Sequence, residues 1–211
     1  MPDPDGEVGV GARDAAAAVS DHELLRRTAG GDRAAFDVLV RRHQVRVLAL
    51  AHRFLGGQGA AEDVGQEAFL RVFRNAGSFS PKAQFTTWLY RIVANLCWDA
   101  RRRAARERLL LVAAARARSE SDEPASPADA AETVRQAVGE LPDRQRLVLI
   151  LHRFDGLGHH EIADITGWSI GAVESCLVRA YATLRGRLAH LAGSDPASSP
   201  KGAGRVTRTT E

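Results

Sequence analysis

The sequence predicts an all-α protein built as two small helical units. Three observations carry this prediction. Apolar residues recur at spacings of three and four along most of the chain, no stretch alternates with the period of two that marks a strand, and residues 119–129 (SESDEPASPAD) interrupt the helical pattern with serine, proline and acid. The chain's 211 residues suit one or two domains. With 45% hydrophobic and 26% charged residues it has the material for real cores and an ordinary soluble surface.

Residues 1–20 are rich in Pro, Gly, Asp and Ala without an apolar face and are expected to be a disordered tail. Ser20 or Asp21 can cap the first helix, which carries Leu24 and Leu25, and Gly30-Gly31-Asp32 breaks it and starts the next. Phe36, Leu39, Val40, His43, Val47, Leu50, Ala51 and Phe54 then fall on one face of a helix of about five turns. The glycines of residues 56–59 end it. A helix over 60–75 should bury Val64, Ala68, Val72 and Phe73, with Glu62, Asp63, Gln66 and Glu67 in its first two turns. Carboxylates there complement the helix dipole; they also suit a polar docking face for a basic partner helix.

A Gly/Ser/Pro loop over 76–82 leads into a helix over 84–103, whose stripe is Phe85, Trp88, Leu89, Ile92, Val93 and Leu96. Tyr90 and Trp98 lie off that stripe. Arg91, Asn95 and Asp99 form a polar line, and Arg101, Arg102, Arg103 and Arg106 close the helix, where cations suit both the dipole and phosphate. Residues 109–117 extend the helical composition. Past the linker, Val134, Val138 and Leu141 mark a short helix, Pro142-Asp143 opens another with Leu147, Ile150, Leu151 and Phe154 inward, and residues 155–158 turn. Residues 159–188 read as two helices around Gly167, the second capped by Ser169. This is the helix-turn-helix pattern, which serves DNA-binding proteins and plain helical bundles alike. The tail from 193 is polar and glycine-rich.

Composition and motifs exclude much. Net charge is +3, so bulk charge announces no nucleic acid partner, and Lys82 and Lys201 are the only lysines. Cys97 and Cys176 stand too far apart in sequence for a zinc ligand pair and read as reduced thiols. His160-Glu161 followed by Asp164 misses the metal-binding HExxH pattern because its fifth position is aspartate. Phosphate-binding glycine loops and nucleophile elbows are absent, which predicts no enzyme, no metal and no cofactor. With no apolar run near 18 residues and no signal pattern, a cytoplasmic protein without membrane insertion is expected.

Residues 31–43 (GDRAAFDVLVRRH), 61–75 (AEDVGQEAFLRVFRN), 85–103 (FTTWLYRIVANLCWDARRR), 141–167 (LPDRQRLVLILHRFDGLGHHEIADITG) and 171–188 (GAVESCLVRAYATLRGRL) together resemble the extracytoplasmic-function group of sigma factors, within the sigma-70 family. The resemblance implies a transcription initiation factor with region 2 over 21–108, a linker over 109–129, region 4 over 130–192 and tails on either side. Core RNA polymerase would be held through its β′ clamp helices and β flap, with Asp63, Gln66 and Glu67 on the polymerase-facing helix. Promoter DNA would be melted at the −10 element by region 2, with Arg91, Asn95, Arg101 and Arg102 as contacts and the loop over 78–87 capturing a flipped base. Region 4 would read the −35 element through Ala172, Ser175, Cys176 and Arg179, with Arg153, Arg185 and Arg187 on the DNA backbone. An anti-sigma factor is a further implied partner. The recognition helix departs from many relatives: Glu174 and Cys176 stand where basic residues are expected, and Arg179 is left as the cation of that face. The competing reading is a helix-turn-helix regulator that is not a sigma subunit; it would carry a receiver or ligand pocket in its first unit.

Overall fold

The structure, a computed structural model, describes residues 19–115 and 130–189. The tails expected over 1–20 and 193–211 and most of the linker fall largely or wholly outside the described residues. Every regular element among the described residues is helical: α1 (Asp21–Ala29), α2 (Arg33–Leu55), α3 (Gln58–Asn75), a 3-10 turn (Ala76–Ser78), α4 (Phe85–Ala115), α5 (Ala130–Gly139), α6 (Asp143–Arg153), α7 (His159–Thr166) and α8 (Ile170–Arg187). The caps follow local chemistry. Ser20 Oγ accepts from the Glu23 N–H, Asp32 Oδ1 accepts from the Ala35 N–H, and Gly56 ends α2 at φ 78°. α4 runs past the expected end at 103 and through the start of the expected linker. Residues 104–115 are alanine, arginine, leucine, valine and one glutamate, mostly strong helix formers with no glycine or proline to stop them.

The first unit packs α2, α3 and α4 around Leu39, Val47, Leu50, Phe54, Val64, Ala68, Val72, Phe85, Leu89 and Val93. Gly65 lets α3 lie close against α2; a Cβ there would sit 2.8 Å from Leu48 Cδ2. Phe73, expected inside, is 40% exposed and rests edge-on against Phe36. α1 is tied to α2 through Asp21, whose carboxylate takes His43 Nε2 at 2.8 Å and the Arg42 guanidinium. Burial alone would raise the Asp21 pKa, but the His43 hydrogen bond and charge, joined by Arg42, outweigh it and hold the carboxyl below its usual range. A depressed acid pKa adds stability above the unfolded value, lost as pH falls through the folded one. Asp21→Asn should therefore cost stability at neutral pH and flatten the acid limb of the stability curve below about pH 4; urea titrations at stepped pH check this.

In the second unit α6 is buried from Arg146 through Leu151. A helix apolar all round needs neighbours on every side. Leu149 faces Val138, Leu141 and Ala180 of its own unit, whereas Leu147, Val148, Ile150 and Leu151 join the cluster that contains the core of the first unit. The two units thus share one apolar core. Phe154 departs from its expected inward position. It is the C-cap residue of α6, 49% exposed, with the Arg53 guanidinium 4.7 Å from its ring centroid.

Candidate nucleic-acid interface

Three surfaces gather the residues singled out by sequence. The first is a groove between α2 and α3 with a volume of about 520 Å³, its apolar wall built from Phe36, Val40, Leu48, Phe69 and Leu70 and its rim from Asp37, Glu62 and Gln66. Asp63 is exposed on the same helix, and Glu67 is half-buried and paired with Arg71 at 2.8 Å. Leu70 is 47% exposed and Val45, on α2, 72%. An acid-rimmed apolar groove suits a helix that is apolar on one side and basic on its edges.

The second surface is α4 with the loop before it. Phe79 packs against His22, Phe85 and Trp88, and His22 Nε2 lies 2.8 Å from the Ala83 carbonyl, so this loop is anchored from within by aromatic contacts. Trp88 is half-buried beside the core. Tyr90, off the expected stripe, is buried; burial foremost, with the Asp155 charge, pushes its pKa up to about 12. Asn95 is exposed, and Arg102 reaches Asp99 at 2.5 Å. Arg91 and Arg101 are engaged by the second unit. Arg91 donates to the Asp164 carbonyl, and Arg101 Nε pairs with Asp143 Oδ1 at 2.8 Å. Trp98 stacks on Trp168 with ring centroids 5.6 Å apart and planes 18° from parallel.

The third surface is the helix-turn-helix. Gly167 turns at φ 73°, and Ser169 Oγ accepts from the Ala172 N–H. Glu161, part of the near-miss metal pattern, accepts from the Gly158 N–H at 2.8 Å and so caps its own helix. Along α8, Val173, Cys176, Leu177 and Ala180 face inward, while Ala172, Glu174, Ser175, Val178 and Arg179 face solvent. Cys176, expected on the DNA-facing side, is 8% exposed. It lies three residues after Val173 and four before Ala180, on the buried stripe, and the exposed place belongs to Val178. Glu174 faces His159 at 3.5 Å. Arg153 and Arg185 are exposed, while Arg187 is paired with Glu140. The other thiol, Cys97, is buried, and burial pushes its pKa up to about 12, which leaves almost no thiolate for oxidant chemistry near pH 7.

Two residues that matter here went unmarked in sequence, Arg146 and Trp168, and two more were read otherwise, Asp143 as a helix start and Asp164 as part of the near-miss metal pattern. Only Arg146 carried a signal, since it lies one turn before Ile150 and so shares the buried face of α6. Its guanidinium donates to the Val138 and Phe54 carbonyls at 3.0 Å, to Leu141 at 2.9 Å and to Gly139. The Val138, Gly139 and Phe54 carbonyls lie at the C-terminal ends of α5 and α2 and have no partner inside their helices, and Leu141 lies two residues past α5.

Two helical units, the second ending in a helix-turn-helix, the first bearing an arginine- and tryptophan-lined helix, define a promoter-recognition type of protein. Sequence comparison agrees: the Sigma-70 region 2 family matches residues 39–107 and the Sigma-70 region 4 family residues 131–184. The RNA polymerase sigma-H factor of Pseudomonas aeruginosa is 36% identical over 182 residues, covering 76% of this chain and 89% of that protein. The ECF sigma factor SigM of Mycobacterium tuberculosis is 36% identical over 202 residues, covering 92% and 95%. Among solved structures, CnrH in complex with the cytosolic domain of CnrY superposes with a TM-score of 0.60 at 30% identity, covering 83% of this chain and 99% of that one. The chain belongs to the extracytoplasmic-function group of sigma-70 factors.

Proposed function

We propose that this protein is the promoter-specificity subunit of a cytoplasmic RNA polymerase, an alternative sigma factor that performs no covalent chemistry of its own. The observation that carries the reading is the order of its parts: a region 2 unit with an acid-rimmed groove and a basic-aromatic helix, then a region 4 unit with an exposed recognition helix. The groove with Asp63, Gln66 and Glu67 on its helix receives the β′ clamp helices of core polymerase. The α4 face, with Arg91, Asn95, Arg101 and Arg102, holds the melted −10 strand, since guanidinium groups grip phosphates and indoles stack unpaired bases. α8 enters the major groove at the −35 element. The helix-turn-helix also offers the β flap its surface. An anti-sigma partner is part of this reading, supported by the CnrH–CnrY complex among its structural relatives.

The test is transcription by purified core polymerase with and without this chain on a genomic promoter library; absence of both specific initiation and core binding would overturn the reading. At the −35 element, Arg179, midway along α8, is the first cation of that helix and is exposed. Arg179→Ala should reduce discrimination at one base pair by about 1–3 kcal/mol, the worth of a bidentate guanine contact. Promoter selection with both proteins measures it, and an unchanged preference at every position removes Arg179 from the contact set. Arg153 and Arg185 should instead contribute salt-dependent affinity without base preference.

A further inference from the structure

We propose that His22 is a positioning residue for base capture: from α1 it holds the loop over residues 79–84 in the shape that receives an unpaired −10 base, without itself touching the strand. The proposal rests on the reading of the loop before α4 as the place where that base is taken, and it adds what sets the loop.

The loop joins the 3-10 turn to α4. Within it the Ala83 N–H closes one turn on the Ser80 carbonyl at 3.0 Å. Ser80, Lys82 and Gln84 are exposed along it. They offer a hydroxyl, a cation and an amide, groups that can meet a base edge or a phosphate. Such groups discriminate only when the backbone beneath them keeps one shape. A loop left free has to be ordered as the strand binds, and that ordering subtracts from affinity.

α1 fixes the loop from 61 residues away in sequence. His22 Nε2 meets the Ala83 carbonyl at 2.8 Å; a carbonyl can only accept, so this nitrogen carries the proton. The His22 and Phe79 ring centroids are 5.4 Å apart, and Phe79 in turn lies 5.1 Å from Trp88. The imidazole therefore holds the loop near both ends, at Phe79 by ring contact and at Ala83 by a hydrogen bond. α1 is a firm base for this. Leu24 and Leu25 are 2% and 1% exposed, and Asp21 is bound to His43 and Arg42 of α2. Successive helical residues point about 100° apart, so Asp21 can hold α2 while His22 faces the loop. His43 also touches Phe85, with centroids 5.1 Å apart, so both grips of α1 end on one aromatic group under the loop. α1 lies ahead of residues 39–107, the part of the chain that the region 2 family matches.

The experiment uses holoenzyme assembled from core polymerase and the full chain. Its probe is a labelled oligonucleotide carrying the −10 strand of a promoter that wild-type holoenzyme initiates in the genomic library. Copies with one abasic position each locate the captured base, where removal of the base weakens wild-type binding. His22→Phe keeps a ring against Phe79 and removes the donor. It should weaken binding of the intact strand by about three- to tenfold, the worth of one such hydrogen bond. Binding of the abasic strand should not change, so the penalty for the missing base shrinks. His22→Gln, whose amide N–H can stand near the place of Nε2, should recover most of the affinity. His22→Ala gives the same readout should His22→Phe fold poorly. Binding to core polymerase should be unchanged in all three. Equal losses on intact and abasic strands would show general damage and overturn the proposal, as would wild-type affinities in both His22→Phe and His22→Ala. A wild-type strand with no sensitive position strikes the loop reading and the proposal with it, and absence of any initiation strikes the sigma reading and both. A sensitive position that ignores His22 strikes the proposal alone.

Discussion

Arg146→Met is expected to lower the unfolding free energy by about 3–5 kcal/mol, summed over buried carbonyls that each cost about 1–3 kcal/mol when left without a donor. Methionine replaces the aliphatic stem of Arg146 but none of its donors. The buried Leu141 and Phe54 carbonyls would lose their present donor, as would the exposed Gly139, while the Val138 carbonyl keeps the Leu141 N–H at 3.2 Å; each buried carbonyl left bare carries a penalty of about 1–3 kcal/mol unless water reaches it. The guanidinium is disfavoured by burial first and by Arg101 second, partly offset by Asp143, and its pKa falls to about 10, so it stays charged at pH 7. Arg146→Lys should recover only part of the loss, since a point charge cannot fork between two helix ends. For a domain of this size the methionine variant should melt about 6–20 °C below wild type. A change under about 1 kcal/mol in urea unfolding would mean that the carbonyls find other donors.

Leu70→Lys should weaken binding of core polymerase by about thirtyfold or more, equivalent to roughly 2 kcal/mol, because it sets a charge on the apolar wall of the α2–α3 groove where an interface anchor belongs. Leu70 is 47% exposed, so folding should change by only about 0.5 kcal/mol or less. Asp63→Ala, exposed on the same helix beside the groove, should have a smaller effect that shrinks further at high salt, as expected for an exposed charge. Titration of labelled protein with core enzyme at two salt concentrations separates these cases. Equal affinities for Leu70→Lys and wild type would show that the partner does not enter this groove.

Much of the fold was legible from local chemistry. Ser20, Asp32, Ser169, Gly56 and Gly167 mark helix ends through hydrogen-bonding side chains or a left-handed turn, and such signals act within a few residues. The inward stripes of α2 and α3 follow from a period of 3.6, apart from Phe73. The errors have three origins. Trp98 and Tyr90 look peripheral on α4 taken alone and are covered because another unit lies over them. Phe154 looks like core by spacing and is not, because α6 ends there. Cys176 was put on the exposed face of α8 although its spacing from Val173 and Ala180 places it on the buried stripe, a misjudged helical face that the period itself could have corrected.

The chain alone determined the helical class, the helix boundaries near their caps, the two-part order and the family, because periodicity, capping and motif order all reside in neighbouring residues. Only the tertiary structure decided that the units share a core, that Arg146 ties their helix ends together, and that Arg91, Trp98 and Arg101 face Asp164, Trp168 and Asp143. Those partners lie tens of residues apart, and a guanidinium reads the same in sequence whether a phosphate or a carbonyl waits for it.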